Sequence, residues 1–131
     1  MAEHKHFYYL TTGAAPITAI YCPSERAWKR AMKKFKMGQQ HYPTSHGSVT
    51  VFEPSNGGNK LHVMAFDNDV LSGLTDLQVI GLVVHECVHI TQYIAVEMND
   101  DSPSMEFQAY SVQCLTMDVL GAMKDADVFS L

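Results

Sequence analysis

The segment from Leu74 to Met98 constrains this chain more than any other, because a marked start, an apolar stripe and a marked end follow in order. Thr75-Asp76-Leu77-Gln78 reads as a capping box, in which the threonine hydroxyl serves the third helical amide and the glutamine reaches back. Leu74 and Val79 flank it as a hydrophobic staple. The spacing predicts a helix to about Met98, broken by Asn99-Asp100-Asp101. Inside that helix lies His85-Glu86-Cys87-Val88-His89. Residues four apart share a helix face, so both imidazoles can reach one metal ion, with Glu86 beside the ion and not on it. In that position a carboxylate can take a proton from metal-bound water. Two imidazoles and a carboxylate are costly to bury in so apolar a segment without a partner, which favours the metal reading over incidental histidines.

A catalytic zinc site has three protein ligands and one exchangeable water. The third ligand must come from outside the motif. A second helix is predicted with Ser102 as N-cap and Pro103 in its first turn, running to about Lys124 on apolar positions such as Leu115, Val119 and Met123. Glu106 in its first turn is the candidate, with Glu97, Asp100 and Asp101 as rivals. Tyr110 shares the face of Glu106, and Gln113 lies close by. Gly81, one turn before His85, leaves space over the site. Gln92 and Tyr93, one turn beyond, are placed to hydrogen-bond the ligands. Cys87 points away from both histidines and reads as a core residue.

The first half of the chain reads as short strands and one helix. Phe7 to Thr12 and Ile17 to Tyr21 are β-prone, separated by Gly13-Ala14-Ala15-Pro16. Pro23-Ser24 offers a helix start, and Ala27 to Met37 carries Trp28, Ala31, Met32 and Phe35 at helical spacing, with Gly38 at the expected C-terminus. Val49 to Phe52 and Leu61 to Phe66 read as a hairpin around Pro54 to Asn59. Gln39 to Gly47 and Asp67 to Gly73 read as connections, with His41 and His46 at the surface. The expectation is a single α+β domain over residues 1–131. A small twisted, mostly antiparallel sheet should pack on the motif helix, flanked by the basic helix and the C-terminal helix.

The net charge of −5 hides an asymmetry: residues 26–36 hold six of the nine basic side chains and no acid. The rest of the chain has three basic and fourteen acidic groups, a balance of −11. Such a charge run usually forms a solvated helix face; attraction to nucleic acid is the less favoured alternative. The N-terminal residues lack a signal-peptide profile, and the apolar run from Val79 to Val84 is too short to cross a bilayer. Three cysteines in unlike contexts argue against a disulfide framework. A cytoplasmic protein without a membrane partner is expected, and the sequence leaves its oligomeric state open.

H-E-x-x-H on one helix followed by E-x-x-A-Y on the next, at residues 106–110, resembles the gluzincin branch of the zincin metallopeptidases, in particular its minimal single-domain bacterial and phage members. The likeness covers residues 74–115; over residues 7–67 it extends only to the order of helix and strands. It implies a zincin-like fold and peptide-bond hydrolysis of a peptide or protein substrate with Zn2+. His85, His89 and Glu106 would be the metal ligands, Glu86 the general base and acid, and Tyr110 a donor to the transition state. It further implies substrate strand addition along Leu61 to Phe66, at Leu61, His62 and Val63, with Asn59 or His62 near the cleft. Gln92, Tyr93 and Gln113 would orient the ligands. A catalytically inactive zincin-fold binding protein and a nucleic-acid-linked module using residues 26–36 are the alternatives.

Overall fold

The computed structural model describes residues 4–13, 15–54 and 58–129; the expected loop residues Ala14 and Ser55 to Gly57 lie outside that set. Eight elements follow one another: β1 (Tyr8–Tyr9), β2 (Ile17–Cys22), α1 (Glu25–Lys34), β3 (Ser48–Phe52), β4 (Lys60–Ala65), α2 (Asn68–Ser72), α3 (Asp76–Glu97) and α4 (Met105–Asp125). The strands form one sheet in the order β1-β2-β4-β3. β1 runs antiparallel to β2, and β3 antiparallel to β4 in the expected hairpin. The six-residue β2–β4 pairing is parallel, so the sheet is mixed, with the other two pairings antiparallel as expected. The cause of the parallel pairing is the right-sized connection: α1 and β3 together carry the chain from the end of β2 back to the start of β4.

Period-two alternation gives the sheet two apolar faces. Ile20, Cys22, Leu61, Val63 and Ala65 face α1, meeting Ala27, Trp28, Ala31 and Met32. Ile17, Ala19, Tyr21, Met64 and Phe66 face the other way, onto α3 and α4. α3 contributes Val79, Val83, Cys87, Ile90 and Ile94, a stripe at helical spacing, and α4 adds Leu115, Val119, Ala122 and Met123. The result is three layers: α1, sheet, and the α3–α4 hairpin. By length and composition α3 is apolar enough to cross a membrane, but that stripe is buried in the core.

The capping box on Thr75 is present with both of its bonds. The start of α4 differs from expectation. Asp100 Oδ1 accepts from the Ser102 amide at 3.1 Å, which holds Ser102 in the turn, so the helix is capped two residues later, where Ser104 Oγ accepts from the Phe107 amide at 3.1 Å. Asp67 to Gly73 is not a plain connection but holds the short helix α2, capped by Asp67.

Candidate metal centre

The core stripe of α3 turns His85 outward to solvent and leaves His89 half-buried, one turn apart on one face. Their Nε2 atoms approach to 3.2 Å, with the ring planes at 81°. Two nitrogens each at about 2.0–2.1 Å from a tetrahedral ion lie about 3.3 Å apart, so the pair fits two corners of a zinc site. Gln92 Oε1 lies 3.2 Å from His89 Nδ1. An amide oxygen accepts there, which holds the proton on Nδ1 and leaves the Nε2 lone pair for a metal.

Glu86, rotated off that face, is 6% exposed. Burial raises its pKa above the ordinary carboxylate value, while the charges of His85 and His89 pull it down. Its cover comes from a place the sequence does not advertise. A Cβ at Gly47 would lie 2.7 Å from two ring carbons of Phe66 and 3.5 Å from Glu86 Cγ, so only a glycine lets this backbone close over both. The segment before it is pinned to the end of β4, where Tyr42 Oη donates to the Phe66 carbonyl at 2.8 Å and the Asp67 amide to the Ser45 carbonyl at 3.2 Å. A glycine between an expected surface loop and an expected strand is the one signal that pointed there.

The other expected site residues divide. Gly81 is exposed with open space where a Cβ would stand, one turn before His85. Cys87 is buried in the core, and burial pushes its thiol up to about 11. Tyr93 packs its ring on His62, with centroids 5.2 Å apart, and not on the histidine pair. Glu106, Tyr110 and Gln113 are exposed on α4. Thr116 sits beside the Cys87 thiol, which sets the level of α4 against α3. Glu106 is ten residues from Thr116, about 15 Å of helix, and therefore lies beyond the pair towards the 98–104 connection. Among the described residues no group of three His, Cys, Asp or Glu side chains is gathered around a metal position. Gln113 is nearer in level to His89 than Glu106 is.

The expected substrate edge at Leu61, His62 and Val63 needs correction. β4 is paired on both sides, by β2 and β3, so its backbone has no free edge for an added strand. These three side chains are buried, His62 at 1% exposure. The free edge on this side of the sheet is β3, whose Val49 packs against the α3 core. Lys60, at the start of β4, is bridged to Glu97 at 2.8 Å and Glu53 at 3.2 Å, which engages the rival ligand Glu97 in a surface ion pair. Asp100 is likewise engaged in the turn by the Ser102 amide. Compared with known proteins, the chain matches no family model, and no curated protein and no solved structure is significantly similar to it.

Proposed function

We propose that this chain is a zinc-dependent metallopeptidase in which His85 and His89 hold the ion and Glu86 is the general base. One observation supports the reading above the others: two imidazole Nε2 atoms converge to 3.2 Å beside a buried carboxylate. Zinc bound there would polarise the scissile carbonyl and lower the pKa of its water to about 7. Glu86 takes the proton, and its raised pKa makes it a stronger base than an exposed glutamate; it then returns the proton to the leaving amine. Gln92 keeps His89 in the ligating tautomer. Glu106 is proposed as third ligand on the E-x-x-A-Y likeness alone, and its ligation requires the 98–104 connection and the first turns of α4 to shift towards His89. Tyr110, on the same face, would follow it towards the transition state. A peptide substrate would add to the free edge of β3, in place of β4.

The offset of Glu106 favours a second reading, a metal-binding protein of zincin type without peptidase activity. Metal analysis of the purified protein, with digestion of a peptide library by wild type and Glu86→Gln, separates the two. The expected result is about one zinc per chain in both proteins and hydrolysis by wild type only. Zinc without hydrolysis in wild type assigns the second reading, and protein that takes up no zinc sinks both.

A further inference from the structure

We propose that the groove between α1 and residues 38–42 binds single-stranded nucleic acid. The groove has a volume of about 870 Å³ and lies on the α1 face of the sheet, opposite the His85/His89 pair. Lys29, Lys33, Lys36 and His41 line it, and among its described lining residues Glu25 is the one acid. Arg30 and Lys34 extend the positive face along the exposed side of the same helix. Lys36 holds a left-handed backbone (φ 57°), a conformation that glycine adopts more cheaply, and still supplies a cation to the groove.

The floor is apolar: Trp28, buried at 1% exposure, meets the half-buried Tyr42 edge to face with centroids 5.8 Å apart, so Tyr42 is the ring that a base in the groove would reach. The wall is held in place, since Trp28 Nε1–H donates to the Gln40 carbonyl at 2.9 Å and Tyr42 Oη to the Phe66 carbonyl at 2.8 Å. Cations along the rim, the Tyr42 ring and neighbouring amides of Gln39 and Gln40 suit a strand whose phosphates follow the helix while its bases enter the groove. A duplex keeps its bases stacked inside and cannot offer them to such a concavity. A folded acidic partner would extend past α1 and meet the remaining chain, whose balance is −11. That repulsion reaches about 8–10 Å at ordinary salt, whereas a thin strand can stay within the basic row.

The test is fluorescence anisotropy of the full chain with a labelled single-stranded oligothymidylate. Affinity should fall with salt at a log–log slope of about −2, as expected for the three groove lysines at about −0.7 each. Lys33→Glu/Lys36→Glu should weaken binding at least about tenfold. Both side chains are exposed, and an unchanged far-UV circular dichroism melt shows that the fold is intact. Lys124→Glu, exposed in the last turn of α4, should bind as wild type, and so should Glu86→Gln, which separates this site from the metal centre. A duplex of equal length, inorganic phosphate and polyglutamate should compete at least tenfold less well. The proposal is overturned if the oligonucleotide does not bind at low salt, if the double reversal leaves affinity unchanged, or if any of the three competitors matches the single strand.

Discussion

Burial raises the proton affinity of Glu86, and the two imidazoles beside it oppose that rise without cancelling it. A carboxyl whose folded pKa lies above its unfolded value binds its proton more tightly in the native state. Stability is then highest with the group protonated and falls as pH rises through the folded pKa. Glu86→Gln removes the charge and keeps the shape. In the metal-free chain at pH 7–8 it should raise Tm by a few degrees while abolishing hydrolysis, the usual cost of a functional buried charge. A melt in chelator checks this, and a lowered Tm would mean that the ionised carboxylate stabilises the fold. Gly47 is the second residue on which the site depends. Gly47→Ala would place a methyl 2.7 Å from the buried ring of Phe66, an overpacking that costs about 1–3 kcal/mol and lifts the cover from Glu86. Urea denaturation should show the loss, with unchanged stability placing Phe66 elsewhere. His85, Glu86, His89 and Gln92 were legible as residues because their relations are local, set by helix period alone. Gly47 was not, since its partner Phe66 reaches it only through the fold.

At the scale of elements, α1, α3 and α4 all end in one way, and none uses glycine. The residue after each C-cap is left-handed: Lys36 (φ 57°), Asn99 (φ 54°) and Asp127 (φ 61°). The next amide closes back on the last turn at 2.9 Å in every case, Met37 to Met32, Asp100 to Ala95 and Val128 to Met123. Asn and Asp tolerate this conformation; Asn99 stands where the break after α3 was expected, and α4 ends at Asp125, one residue past the expected Lys124. Lysine does not favour this conformation, so Gly38 drew the expected end of α1 beyond its true one. Lys36→Gly should relieve about 1–2 kcal/mol of steric cost against about 0.5–1 of added chain entropy, a net gain of up to about 1.5 kcal/mol in a denaturant titration. Strand β4 carries a second consequence. Burial lowers the pKa of His62, with the Lys60 charge adding to that effect and Glu97 opposing it. A histidine depressed in the folded state binds its proton better when unfolded, so stability falls as pH drops below about 6.5. His62→Phe should flatten that acid limb in a series of melts between pH 7 and 5; an unchanged slope assigns the loss to other groups. The periodic pattern of β4 showed that it was a strand, but not that two neighbours cover it, because pairing partners are a property of the sheet.

For the whole molecule, the sheet separates the two proposed sites, with the His85/His89 pair on the α3 side and the lysine groove on the α1 side. The segment from residue 38 to Gly47 joins them, forming the wall of one and the cover of the other. The layer order could be anticipated from apolar periodicity, since each helix shows one stripe. The axial offset of α4 could not, because it depends on how Leu115, Val119 and Met123 settle against Val83, Cys87 and Ile90, and on a cap displaced from Ser102 to Ser104. The third ligand is decided by that offset, so metal linkage is the measurement that bears on the whole arrangement. An ion that binds only the native state stabilises it by RT ln(1 + [L]/Kd), about 2.7 kcal/mol at a hundredfold excess over Kd. Wild type should therefore melt several degrees higher in zinc than in chelator. His89→Ala should lose that shift, because one imidazole remains, and Glu86→Gln should keep it, because the carboxylate is not a ligand. Glu106→Gln is expected to reduce the shift if zinc draws the start of α4 towards the pair. A shift equal to wild type would remove Glu106 from the ligand set and leave the ion on His85, His89 and solvent.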